Sequence, residues 1–131
     1  MERFSFAKYR KIAITIAFYL KRIFDNIKVN TSTIVLTLIY MDRFFLATKL
    51  HCHQQMVFKV FLTAYFLACK YNEDTCYSNK LYSLVAGISA EEYIQLEIQM
   101  LRILDYHLFV EEEEYFQYET MMKEYENYLN K

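Results

Sequence analysis

Four consecutive glutamates, Glu111 to Glu114, are where acid and base chemistry would first be sought, and His51-Cys52-His53 with Cys69 and Cys76 are where a metal would. Neither pattern has the spacing its chemistry needs. Adjacent loop residues do not converge on one ion, and no C-x-x-C or H-x-x-x-H pair anchors a tetrahedral site. Four like charges at the start of a polar segment read as solvated charge rather than as paired catalytic carboxylates. The chain has no glycine-rich phosphate loop and no G-x-S-x-G elbow, and its third histidine, His107, sits between Tyr106 and Leu108. No catalytic residue, metal, cofactor or small-molecule substrate is expected.

Charges set among hydrophobes carry more information. Asp42 and Arg43 directly follow the apolar run Ile34 to Met41, where an unpaired, desolvated charge would cost several kcal/mol. Lys70 falls one helical turn after Phe66, and Glu97 is flanked at four residues by Tyr93 and Leu101. Both stand where a hydrophobe would be expected. Two readings are open from spacing alone. Lys70 and Glu97 pair with each other at the edge of the core, with Lys70 also suited to a helix C-terminal dipole, or they rim an apolar groove and hold a partner's helix.

The elements that must position these residues are helices. In 131 residues that are 55% hydrophobic there is no proline and one glycine, Gly87, so the usual breakers and hairpin formers are nearly missing. Apolar residues recur with helical period from Phe6 to Ile27. Thr31, Ser32 or Thr33 is suited to cap the next helix, whose run through Met41 is apolar nearly all round and so belongs in the middle of a bundle. Met56 to Tyr71 predicts a third helix, and Ser78 or Asn79 opens a short fourth one ended by Gly87. Ser89 with Glu92 is a capping box for a fifth helix from about Ala90 to Leu104. Glu111 to Glu114 open a polar, tyrosine-rich sixth.

Fifteen basic and 16 acidic side chains give a formal net charge of -1, which does not suit a phosphate backbone. Nucleic acid is not an expected partner. The run Ile12 to Leu20 ends in Lys21-Arg22 with no cleavage site and is too short to cross a bilayer, so no membrane role is expected. An odd number of cysteines at no framework spacing points to free thiols and an intracellular setting, cytoplasm or nucleus. Tyrosine and phenylalanine are abundant enough to serve an interface as well as a core.

In order along the chain, Tyr19-Leu20-Lys21-Arg22-Ile23, Ile39-Tyr40-Met41-Asp42-Arg43-Phe44, Ala68-Cys69-Lys70-Tyr71, Tyr77-Ser78-Asn79, Val85-Ala86-Gly87-Ile88, Leu96-Glu97 and Leu101-Arg102-Ile103-Leu104-Asp105-Tyr106 resemble the cyclin box. The likeness is to the single-box cyclins of the phosphate-pathway, or P/U, type. It implies an all-α fold of five helices around a central apolar one, with an added C-terminal helix. The box with its N-terminal helix would occupy residues 1–110, and the polar helix 111–131. The implied function is that of a regulatory subunit that binds and activates a cyclin-dependent protein kinase, without enzymatic activity. The family's lysine and glutamate that hold the kinase C-helix region fall on Lys70 and Glu97. Exposed apolar side chains near Phe58, Leu62 and Tyr65 are expected to pack beside them. The alternative is a cyclin-fold adaptor in transcription or another helical binding module, against whose DNA-binding form the near-neutral charge argues.

Departures from the pattern sharpen these expectations. Where many cyclins carry a Met-Arg-Ala-Ile-Leu docking patch, this chain reads Ile12-Ala13-Ile14-Thr15-Ile16, which removes that route of substrate recruitment. The arginine that would neutralise Asp42 is Ala13, so Arg22 or Arg43 is expected to supply the charge. About 20 residues follow Val110, too few for a second cyclin fold.

Overall fold

The computed structural model describes residues 14–15, 31–48, 54–72 and 78–129. Among the described residues there are five helices and no strand: α1 (Thr31–Thr48), α2 (Gln54–Asn72), α3 (Asn79–Ala86), α4 (Ala90–Ile103) and α5 (Glu112–Leu129). The fold is all-α. Of the helix expected over Phe6 to Ile27, only Ile14 and Thr15 are described; both are helical and Ile14 is buried in the core. Arg22, His51, Cys52, His53 and Cys76 lie outside the described residues.

The helix that is apolar all round is the hub. Every residue of α1 from Thr33 to Asp42 is buried, and α1 packs against α2, α4 and α5. A helix can be surrounded this way only if its few polar groups are satisfied locally. The Thr37 hydroxyl donates to the Thr33 carbonyl at 2.7 Å, and the Asn72 amide donates to the hydroxyls of Ser32 and Thr33 at 2.9 and 3.2 Å. Tyr40, fully buried, donates its hydroxyl to the Leu108 carbonyl at 2.8 Å.

Local signals set the ends of the shorter helices. Ser78, in extended conformation, caps α3 by accepting from the Leu81 amide at 3.3 Å, and Gly87 ends it with φ 75°. Gly87 and Ile88 donate back to the carbonyls of Leu84 and Ser83 at 3.2 and 3.0 Å, satisfying carbonyls at the helix end. Ser89 accepts from the Glu92 amide at 3.1 Å and opens α4. These caps hold α3 against α2 and α4.

At its other end α4 closes without glycine. Asp105 and Tyr106 both take positive φ, 56° and 57°, while the Tyr106 amide donates to the Leu101 carbonyl at 2.8 Å. Side-chain-bearing residues in this region cost about 1 kcal/mol or more each, and the backbone bonds of the turn offset that. The turn sends residues 107–110 back across the end of α1. From there α5 begins and buries Met122 in the common core.

Candidate functional site

Lys70 lies in the last turn of α2 and Glu97 in α4, and their side chains meet: Nζ to Oε2 is 2.6 Å. The pairing reading left open by the spacing is therefore made in the free chain. The two side chains are 26% and 18% exposed, so the pair sits at the rim of the core and keeps contact with solvent. Such a setting lowers the desolvation cost of a buried ion pair while leaving the charges stronger than on an open surface.

Three other side chains complete the cluster. Lys70 also donates to Asn79 Oδ1, at the first residue of α3. Its Nζ lies 5.4 Å from the ring centre of Tyr82 and 5.3 Å from that of Tyr93, near enough for both π faces to attract the cation. The Tyr93 hydroxyl donates to Glu97 Oε2 at 2.6 Å. Burial, and then the bond to the Glu97 carboxylate, pushes the Tyr93 phenol well above the ordinary tyrosine range. Aromatic contacts fix the platform beneath: Phe66 stacks on Tyr82 at 4.4 Å and meets Tyr93 edge-on at 5.8 Å. Helices α2, α3 and α4 thus converge on one ion pair.

The apolar flank differs from expectation. Phe58 is 43% exposed, but Leu62 is only 5% exposed and Tyr65 is half-buried, stacked on Phe61 at 6.0 Å. The apolar face of α2 is wide enough that Leu62 joins the core, so it supports the surface from beneath and is not part of it. Ile94, which the sequence reading passed over, is 38% exposed and one turn before Glu97 on α4. Lys59 and Glu92, 3.9 Å apart, bring the early turns of α2 and α4 together.

Asp42 is 1% exposed, and the Tyr118 hydroxyl of α5 donates to its Oδ2. Of the two cations expected to answer it, Arg22 lies outside the described residues and Arg43 is directed elsewhere. Arg43 donates to the carbonyls of His107 at 3.1 Å and Phe109 at 3.3 Å and pairs with Glu114 at 2.7 Å. The fork geometry of a guanidinium suits this cluster of oxygens at the start of α5, which corrects the Arg43 alternative of that expectation. Glu114 is thereby a structural partner of Arg43.

Among the described residues no three His, Cys, Asp or Glu side chains gather as a metal site would require, and Cys69 is buried. Among them, too, no helix is long and apolar enough to cross a membrane.

The family model for the cyclin N-terminal domain matches residues 4–109, which takes in α1 to α4 and the whole Lys70–Glu97 cluster. The chain belongs to the cyclin family. Its relatives are cyclins of the P and U types. It is 32% identical to Cyclin-P3-1 of Oryza sativa subsp. japonica over 113 residues, covering 86% of this chain and 48% of that protein. It is 34% identical to Cyclin-U4-3 of Arabidopsis thaliana over 98 residues, 74% of this chain and 45% of the relative. It is 35% identical to Cyclin-P4-1 of Oryza sativa subsp. japonica over 98 residues, 74% and 46% of the two chains. This cyclin thus spans about half the length of the curated relatives it matches. No solved structure matches it. Family membership supports a cyclin-type regulatory role.

Proposed function

We propose that this cyclin is the regulatory subunit of a cyclin-dependent protein kinase, binding the kinase through Lys70 and Glu97 and activating it with no chemistry of its own. The observation that carries this reading is the partly solvent-accessible ion pair at the junction of α2, α3 and α4, on a chain whose same helices expose Phe58 on α2 and Ile94 on α4. Charge-assisted hydrogen bonds are strong where apolar neighbours exclude water, and the neighbours here are aromatic and aliphatic. Phe58 and the exposed part of Tyr65 would pack beside a kinase helix, with Leu62 backing them from the core. Activation requires only that the surface bind the active kinase conformation better than the inactive one, since a partner shifts an equilibrium by its differential affinity. The setting is intracellular, in cytoplasm or nucleus, where such kinases act. Nucleic acid and membrane have no part in this reading.

The test is recovery of the tagged chain from its source cell, identification of the co-purifying protein, and assay of that protein with and without the chain. A cyclin-dependent kinase whose phosphorylation of a peptide rises on adding the chain supports the reading. A recovered kinase equally active without the chain, or no kinase at all, contradicts it.

A further inference from the structure

We infer that Tyr93 and Asn79 are positioning residues that fix the Lys70–Glu97 pair for its partner. This rests on the kinase-binding reading above and deepens it.

The polar group of each is directed at the ion pair and not at a backbone group. Tyr93 is 1% exposed and packed on aromatic neighbours, a place that phenylalanine would fill equally well; its hydroxyl is accounted for by the bond to Glu97 Oε2. A hydroxyl taken out of water at this depth is unfavourable unless it is bonded, so its presence is tied to the carboxylate. Asn79 opens α3, but the cap of α3 is already made by Ser78 accepting from Leu81, and the Asn79 amide oxygen turns to Lys70 instead. Both bonds to Glu97 converge on Oε2, leaving Oε1 as the acceptor for a partner's N–H. Lys70 is a long, flexible side chain held by Asn79 and Glu97 and between two tyrosine faces. Its loss of rotamer freedom therefore falls on the free chain rather than on the binding step.

The experiment uses the full chain and a purified cyclin-dependent kinase that the wild-type chain activates. Tyr93→Phe and Asn79→Ala are each expected to weaken kinase binding about tenfold, the scale of one hydrogen bond to a charged group, with helical content retained. Asn79→Asp keeps an acceptor for Lys70 and is expected to retain most of the affinity. In a Glu97→Gln background Tyr93→Phe is expected to have a much smaller effect, because the hydroxyl acts through the carboxylate. Without kinase, the NMR signal of an isotope-labelled Glu97 carboxyl carbon is expected to move in Tyr93→Phe. The inference is overturned if Tyr93→Phe and Asn79→Ala bind like wild type while Lys70→Ala and Glu97→Ala do not, or if the full loss persists in the Glu97→Gln background. If Lys70→Ala and Glu97→Ala also bind like wild type, it is the kinase-anchor reading that fails, and this inference with it.

Discussion

The hydroxyl of Tyr118 donates to the carboxylate of Asp42, joining α5 to the buried stretch of α1 across 76 residues of chain. A carboxylate this deep is tolerated only when donors surround it. Tyr118→Phe keeps the ring and removes a donor, and it is expected to lower stability by about 1–3 kcal/mol. Urea unfolding followed by circular dichroism measures this. An unchanged midpoint would mean that the bond contributes nothing to holding α5.

Arg43 makes the second attachment of the same helix. Its guanidinium and Glu114 are 25% and 42% exposed, so the ion pair alone is worth about 1 kcal/mol or less after solvent screening. The bonds to the His107 and Phe109 carbonyls add to it, and a lysine cannot reproduce that fork. Arg43→Lys is therefore expected to speed amide hydrogen exchange across residues 107–118 more than Glu114→Gln does. An effect of Arg43→Lys smaller than that of Glu114→Gln would show that the carbonyl bonds matter less than the ion pair.

Two buried phenols give the chain an alkaline limit. Burial raises Tyr40, and burial together with the Glu97 carboxylate raises Tyr93, both from an ordinary value of 10.0. Above that value the unfolded chain releases these protons while the folded chain keeps them, so the folded state binds more protons. Their stabilising contribution is complete below the unfolded value and falls as pH rises beyond it. In an alkaline titration the last phenols to ionise by ultraviolet absorbance should do so together with the loss of helical circular dichroism. Ionisation of all 13 tyrosines with helicity intact would contradict this.

The sequence made most of the helical frame legible because its signals are local. Ser78, Gly87, Ser89 and the all-apolar run of α1 mark ends and burial through backbone chemistry and periodicity, and each stands where that chemistry places it. The meeting of Lys70 with Glu97 was legible as one of two alternatives, since both charges interrupt apolar stripes. The supporting shell was not. Asn79 read as a candidate cap, and only the extended backbone of Ser78 shows which residue caps α3 and which is left for Lys70. Leu62 was misplaced because periodicity gives the face of a helix but not how wide a face its neighbours cover. Arg43, one of the two cations expected to answer Asp42, directly follows it, yet neighbouring residues on a helix point about 100° apart, and the oxygens that attract Arg43 come from 64 to 71 residues later. The turn at Asp105 and Tyr106 carries no glycine to announce it.

The most direct measurement is the affinity of a purified cyclin-dependent kinase for the wild-type chain and for Lys70→Ala and Glu97→Ala, by calorimetry, with helical content checked for each. Loss of either charge is expected to weaken binding by about tenfold or more, as truncating one partner of a desolvated charge cluster does at other interfaces. Two folded variants that bind and activate the kinase like wild type would contradict the assignment of Lys70 and Glu97 as its anchor.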